Sequence, residues 1–498
     1  MNEAVNTQSN PGLLKLERPE LIRSQAFING QWIDASGGAK FPVTNPADGL
    51  TIGQVADCDA SVARAAVDAA ATAFESYKKT TGKERAAYLR RWFDLVIQNA
   101  EDLAKLMSWE QGKPLAEARA EIAYGAGYIE WFAEEAKRSY GDVIPTPVPG
   151  RKILALKEPV GVAAIITPWN FPMAMIARKF APALAAGCTV VAKPAGETPL
   201  SALALIYLAE QAGIPAGILN ILTTKRSGDI SAAWMADERV RKISFTGSTA
   251  VGKILARDAA ATMKRMSMEL GGDAPFIVFD DCDLDSAVDG LMKAKFRNAG
   301  QACIAANRVY VQDGIHGEFV SRIEAKVRAL SIGAAAEGVF DIGPLIHAKA
   351  AGEMAAYMED AIARGADVRV GGKVHERGAC FFEPTVLVNI RPDMKVSCNE
   401  IFGPIVPIMR FSTEEEAVRL ANDTPYGLAG YLYTKDSARM WRVASALQTG
   451  LVGANEGAIS TEVAPFGGVK ESGYGREGSK YGLADYENIK YLCVGGLS

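Results

Sequence analysis

From Val160 onward, short runs of apolar and β-branched residues alternate with longer stretches whose apolar positions recur at helical spacing, and no other feature restricts the possible fold so sharply. The pattern predicts strands over 160–166, 189–192, 218–222 and 241–245, and helices over 174–186, 201–212, 227–235 and 250–261. Parallel neighbours need a crossover that brings the chain back to the same end of the sheet, and a helix supplies it. A parallel sheet covered by helices, hence a Rossmann-like domain, is the expectation. A second alternating series opens after Gly272 with a strand over 276–279, so a boundary between two α/β units is expected there. At 498 residues the chain is too long for one core.

Ahead of the sheet, 60–137 reads as helical and Ala-rich, with breaks at Thr80-Thr81-Gly82 and Gln111-Gly112-Lys113-Pro114. Phe27 to Trp32 reads as a hairpin around Asn29-Gly30, and Thr44 to Gly49 as a turn. The first twenty-odd residues are polar and are expected to form a loosely ordered extension without a secretory signal. Residues 159–177 carry no charge over about the length of a bilayer span, but three prolines interrupt them, so they read as a buried strand turning into a helix. Residues 152–157 alternate as a half-exposed strand should, and such a strand needs a partner.

The formal net charge of -4 offers no basic face for nucleic acid or anionic lipid, which leaves small-molecule chemistry as the expectation. Seven cysteines, an odd number without a C-x-x-C pair, argue against a disulfide framework or a zinc site and for a reducing compartment, the cytoplasm. Only His316, His347 and His375 are available for a Ser-His-Asp hydrolase or a His-ligated metal, and none has suitable company. No metal is expected.

Cys303 stands in Gly300-Gln-Ala-Cys303-Ile-Ala-Ala-Asn-Arg308, among small residues that leave its sulfur approachable. A lone cysteine is more often a small buried hydrophobe. Here Glu269 precedes Leu270-Gly271-Gly272, and Asn170 lies between Pro168-Trp169 and Phe171-Pro172. A thiol, a carboxylate and an amide are the nucleophile, base and oxyanion donor that acyl transfer requires. Further along, Thr246-Gly247-Ser248 leads into Gly252-Lys253-Ile254, close to a P-loop but with Ile254 where a magnesium-holding hydroxyl belongs. What remains is a strand, a small-residue turn and a helix N-terminus, able to hold a pyrophosphate on backbone N–H groups. Lys193 ends a buried strand, at the rim where doubly wound sheets bind ligands.

Together with Glu400-Ile-Phe402-Gly-Pro404, these motifs resemble those of the NAD(P)-dependent aldehyde dehydrogenases, from about Phe27 to the C-terminus. The resemblance implies an α/β, aldehyde-dehydrogenase-like fold. Its parts would be a Rossmann-like cofactor domain (1–139 and 159–270), an α/β catalytic domain (271–485) and a small β oligomerisation arm (140–158 and 486–498). The arm pairs with another subunit in that family, implying a homo-oligomer, dimer or homotetramer. The implied cofactor is NADP or NAD. Thr167, Pro168 and Trp169 would lie along it, Gly247 and Ser248 at its phosphates, Lys193 and Gly196 at the adenosine ribose, Glu400 at the nicotinamide ribose and Phe402 against the nicotinamide. Cys303, Glu269 and Asn170 would be catalytic, with Lys179 and Glu477 as a proton relay.

Phe171 to Lys179, Lys295-Phe-Arg297-Asn298, Asn455 to Ser460 and Pro465 to Gly473 resemble the succinate-semialdehyde dehydrogenase branch of that family. In that branch residues matching Arg178, Arg297 and Ser460 hold the far carboxylate of the substrate. The implied reaction is oxidation of succinate semialdehyde, with glutarate semialdehyde or another small ω-oxo acid as the alternative aldehyde. CoA-acylating relatives lack a residue matching Glu269. Two departures stand out. Ala305 replaces a second cysteine able to form a regulatory disulfide, and Gly196 stands where NAD-preferring relatives often place a glutamate on the ribose 2′-hydroxyl. With no acid there to repel a 2′-phosphate, use of NADP is expected.

Overall fold

Buried on both faces, the strand Val162–Ile166 carries only Val, Ala and Ile, as a strand covered by helices on both sides must. It sits inside an eight-stranded sheet, described here from a computed structural model that covers residues 15–497. The five parallel strands lie in the order Leu219–Ile221, Thr189–Lys193, Val162–Ile166, Val240–Thr246, Arg265–Glu269, that is third, second, first, fourth and fifth along the chain. The winding reverses between Val162–Ile166 and Val240–Thr246, which opens a crevice at their carboxyl ends. Helices Ala174–Ala186, Pro199–Gln211, Ser227–Ala236 and Thr249–Ala259 fall within a residue or two of the expected spans.

The fifth strand, Arg265–Glu269, was not legible in the pattern. Arg-Met-Ser-Met-Glu has no apolar run, and its placement comes from full pairing with Val240–Thr246, ending in Thr246 opposite Glu269. At the other edge, Ala26–Ile28 and Gln31–Ile33 form the expected hairpin. Asn29 and Gly30, at φ 51° and 75°, make the tight turn whose twist suits a two-residue hairpin.

The helical lead-in comprises Ala60–Tyr77, Gly82–Gln98, Ala100–Gln111 and Leu115–Glu135. Both expected breaks occur, the first with a capping box between Thr81 and Glu84, and Asn99 adds a third. The loose N-terminal extension lies outside the described residues up to position 14. Beyond that the expectation fails, because the Asp102 carboxylate accepts the backbone N–H groups of Glu17 and Arg18 at 3.0 and 2.7 Å and Leu16 and Leu21 are buried.

The second sheet has seven strands in the order Asp367–Val370, Thr385–Val388, Ile405–Phe411, Ala306–Gln312, Ala274–Val278, Ala429–Tyr433, Leu451–Ala454, all parallel except the first. The chain then returns to the first sheet, where Gly473–Tyr474 pairs antiparallel with Arg265–Glu269 and covers its edge. Residues 473–474 of the expected catalytic segment therefore belong to the other sheet. A separate three-stranded sheet joins Asp142–Ile144, Lys152–Pro159 and Glu487–Val494.

Candidate active site

The helix Leu284–Phe296 ends before a turn in which Asn298, Ala299 and Gly300 all adopt left-handed φ, at 53°, 55° and 77°. For the two residues with a Cβ this costs roughly 1–2 kcal/mol each. Local hydrogen bonds hold the turn. Asn298 donates its N–H to Glu117 Oε2 at 2.7 Å, and Gln301 donates from Nε2 to the Asn298 carbonyl at 3.1 Å. Gly300 must be glycine, because a Cβ would lie 2.2 Å from the Gly403 carbonyl oxygen. The turn delivers Cys303, partly exposed, to the head of the strand Ala306–Gln312. Loss of hydration pushes its thiol up to about 12, against the pull of the Arg178 charge.

Asn170 is held from two directions. Its carbonyl accepts from Lys113 Nζ at 2.8 Å and Asn298 Nδ2 at 2.9 Å, and its side-chain Nδ2 donates to the Gln301 carbonyl at 3.0 Å. An amide nitrogen carries two protons, so one N–H remains for an oxyanion. Glu269 ends its strand almost wholly buried, and neither carboxyl oxygen has a hydrogen-bond partner among the described residues. Burial first, then the charge of Glu477, raises this carboxyl well above the usual carboxylate range. Once ionised, a carboxyl with a raised pKa is a stronger base than an exposed carboxylate, which suits general-base work.

Arg178 and Lys179 sit on the wholly buried helix Ala174–Ala186, and both face the Glu477 carboxylate, Arg178 through Nε and Lys179 through Nζ. Although burial opposes ionisation of Glu477, its two cationic partners hold it below the usual carboxylate range. The expected relay pair is thus in direct contact. Arg178 is also partly committed to the protein, though its Nη2 has no hydrogen-bond partner among the described residues and its guanidinium lies 4.4 Å over the Phe466 ring. Arg297 makes no ion pair among the described residues and lies 4.7 Å over the ring of Phe171. Ser460 Oγ is 2.5 Å from Tyr124 Oη. Cys303, Arg178, Arg297 and Ser460 line one cavity of about 50 Å³, room for a few water molecules and so for a short substrate.

At the crevice of the first sheet, Thr167 and Thr246 follow or end the two strands that flank the reversal of winding, and both buried hydroxyls lack partners among the described residues. Ser248 caps the helix Thr249–Ala259, accepting from the Val251 N–H at 3.4 Å, and Gly247 precedes it. Pro168 and Trp169 are half-buried, and Trp169 meets Phe402 edge to face at 5.6 Å. Glu400 accepts the Gly272 N–H at 3.1 Å and is pushed up to about 7, chiefly by loss of hydration. Lys193 ends its strand, donates to the Pro194 carbonyl at 3.1 Å, and is lowered to about 8 by burial. Two orphaned hydroxyls beside an accessible helix N-terminus fit a dinucleotide, whose phosphates and riboses supply the missing partners.

Lys225 was not anticipated. A Cβ on Gly196 would lie 3.6 Å from its Nζ, so Lys193, Gly196 and Lys225 share one rim. Lys225 follows the strand Leu219–Ile221 closely, and the position just past the carboxyl end of a predicted strand was the available signal. Tyr124 and Phe466 were also missed, because aromatics on a helix and in a loop look like ordinary packing.

The model of the aldehyde dehydrogenase family matches residues 32–492. A glutarate-semialdehyde dehydrogenase of Pseudomonas aeruginosa is 53% identical over 97% of this chain and its own full length. The NADP(+) succinate-semialdehyde dehydrogenase of Escherichia coli K12 is 52% identical with the same coverage. A crystal structure of succinate-semialdehyde dehydrogenase from Burkholderia pseudomallei superposes with TM-score 0.96 at 53% identity, covering 97% of this chain and 100% of that one.

Proposed function

Since the chain belongs to the aldehyde dehydrogenase family, we propose that it oxidises succinate semialdehyde to succinate with NADP or NAD as hydride acceptor. One observation carries the substrate class: the nucleophile Cys303 shares a narrow cavity with Arg178, Arg297 and Ser460. Guanidinium groups recognise a carboxylate well, so the aldehyde end of a short ω-oxo acid meets the sulfur while its far end meets the cations. Glutarate semialdehyde is the second reading, favoured by a relative of that name at 53% identity.

The thiol of Cys303 gives its proton to water in the cavity as sulfur bonds to the aldehyde carbon, and the carbonyl π pair moves onto oxygen. That oxyanion takes the free N–H of Asn170 and the backbone N–H of Cys303. A nicotinamide held by Glu400 and Phe402 would supply the two-electron hydride acceptor needed to convert this adduct to a thioester. Glu269 then takes a proton from water while the water oxygen adds to the thioester carbon, and the C–S bond breaks to release the acid. Glu477, set between Arg178 and Lys179 and electrostatically coupled to Glu269, offers the route by which protons leave the buried base.

For the cofactor, Thr167, Pro168, Trp169, Thr246, Gly247, Ser248, Glu400 and Phe402 form the cradle, and Lys193 and Lys225 flank the ribose position left open by Gly196. Two cations at this rim favour the doubly charged 2′-phosphate of NADP, against the single charge of the exposed Glu197 that also acts on Lys193. In this reading the first sheet is the cofactor domain and the second the catalytic domain. The three-stranded sheet is an oligomerisation arm, its strands exposing Val143, Ile489 and Tyr491 at 77%, 76% and 67%. All seven cysteines are free and no described helix is long and apolar enough to cross a membrane, which supports a cytoplasmic location.

A steady-state panel of C4 and C5 semialdehydes and uncharged aldehydes, each with NAD and NADP, tests the reading. The C4 semialdehyde should have the highest kcat/KM. Preference for an uncharged aldehyde would defeat the substrate class.

A further inference from the structure

Lys113 and Glu121 form an ion pair at 2.5 Å, and both side chains are 1% exposed. Burying two charges is costly unless every remaining donor and acceptor is used, and here their other bonds run to the segment that carries Asn170. The ammonium donates to the Asn170 carbonyl at 2.8 Å and lies 4.2 Å over the Phe171 ring. Glu121 Oε1 accepts the N–H groups of Met173 and Ala174 at 3.0 and 3.2 Å, the first turn of the helix bearing Arg178 and Lys179. The segment between Pro168 and Pro172 has no regular backbone pairing of its own. Without these bonds the Asn170 peptide would be fixed by Asn298 alone.

Four residues before Glu121, on the same face of the helix Leu115–Glu135, Glu117 holds the Asn298 N–H at 2.7 Å. One helix therefore grips both the turn leading to the nucleophile and the loop bearing the oxyanion donor. The Phe171 ring lies under Lys113 at 4.2 Å and under Arg297 at 4.7 Å, so the same ammonium borders the substrate pocket through one aromatic ring.

We propose that Lys113 and Glu121 are positioning residues for the oxyanion site, holding the Asn170 peptide and the following helical turn so that the free amide N–H meets the reacting carbonyl oxygen. Neither touches substrate, and both act through Asn170. The proposal rests on the thioester mechanism above and adds to it a pair of charges outside the reacting shell.

The test is a rapid-mixing cycle read as the NAD(P)H burst, comparing wild type, Lys113→Met/Glu121→Gln, Asn170→Ala and the triple variant. Removing both charges together leaves neither one buried alone. Loss of a well-placed oxyanion donor costs a hundredfold or more, so a misplaced one should slow the burst about tenfold or more. Aldehyde KM and cofactor Kd should stay within about twofold, because the lost contact is made in the transition state. The triple variant should be no slower than Asn170→Ala, since residues acting through one group are not additive. A normal burst in the double variant, or the same factor lost again on top of Asn170→Ala, overturns the proposal.

If the double variant does not fold, Lys113→Met alone removes the donor to the Asn170 carbonyl while Glu121 keeps its bonds to Met173 and Ala174, and is taken through the same cycle. A wild-type burst rate there also overturns it. A wild type forming no NAD(P)H with any aldehyde defeats the catalytic reading itself, whereas a normal wild type with unaffected variants defeats this proposal alone.

Discussion

Thr246 and Glu269 are register partners at the carboxyl ends of adjacent parallel strands, and the Gly247 N–H donates to the Glu269 carbonyl at 3.1 Å. The turn proposed for the cofactor phosphates and the proposed general base are therefore fixed to each other by backbone hydrogen bonds. Movement of one strand end would displace both.

Division of labour between Cys303 and Glu269 predicts opposite kinetic faults. Cys303→Ala should abolish turnover, whereas Glu269→Gln should give a burst of NAD(P)H and then stall at the acyl-enzyme. Rapid-mixing absorbance checks both. Steady turnover of the Gln variant at the wild-type rate would remove this glutamate from the mechanism.

The raised carboxyl of Glu269 sets the pH dependence of deacylation. Its base form is the ionised one, and burial together with the Glu477 charge disfavours that form. The deacylation rate should rise with pH through an inflection well above the ordinary carboxylate value and level off beyond it. The inflection should vanish in Glu269→Gln. An inflection at the ordinary carboxylate position would show that the working site hydrates this group.

Arg297 is the cleaner probe of the carboxylate pocket, because removing Arg178 also strips a partner from the buried Glu477. Losing a charge-assisted contact costs roughly 1.5–3 kcal/mol, so Arg297→Ala should lower kcat/KM for succinate semialdehyde about ten- to a hundredfold. Butanal should be almost unaffected. Arg178→Ala should weaken both substrates, with the greater loss on the charged one.

Cofactor choice should respond to Gly196 and Lys225 together. A glutamate at 196 enters a space bounded by Lys225 Nζ at 3.6 Å and can neutralise it while opposing a 2′-phosphate. Gly196→Glu should move kcat/KM from NADP toward NAD, and Lys225→Ala should weaken NADP with little effect on NAD. Wild-type rejection of NADP would mean that the exposed Glu197 reads the ribose instead.

The arm presents an edge strand, Glu487–Val494, with Ile489 and Tyr491 on one exposed face. Such an edge is a ready template for pairing with another chain. Ile489→Lys/Tyr491→Lys should lower the molecular weight measured by light scattering, and an unchanged mass would place the subunit contact elsewhere.

The alternation after Val160 was enough to predict a parallel sheet, because burial on both faces demands apolar strands and because parallel strands demand helical crossovers. Cys303, Glu269 and Asn170 could likewise be picked out, since each stands in a local motif whose small residues or prolines mark a special backbone. Strand order, and with it the crevice between Val162–Ile166 and Val240–Thr246, came only from the fold. So did the strand ending in Glu269, whose sequence has no strand pattern and whose place is set by its neighbour. Buried charges followed the same rule. Lys113 looks like part of a helix break and Glu121 like an ordinary mid-helix residue, and Glu477 like part of a glycine-rich loop. Each works through a partner distant in the chain, Asn170 for the first two and Arg178 and Lys179 for the last. Local periodicity reports which face is buried, but pairing of buried charges is decided by which segments packing brings together.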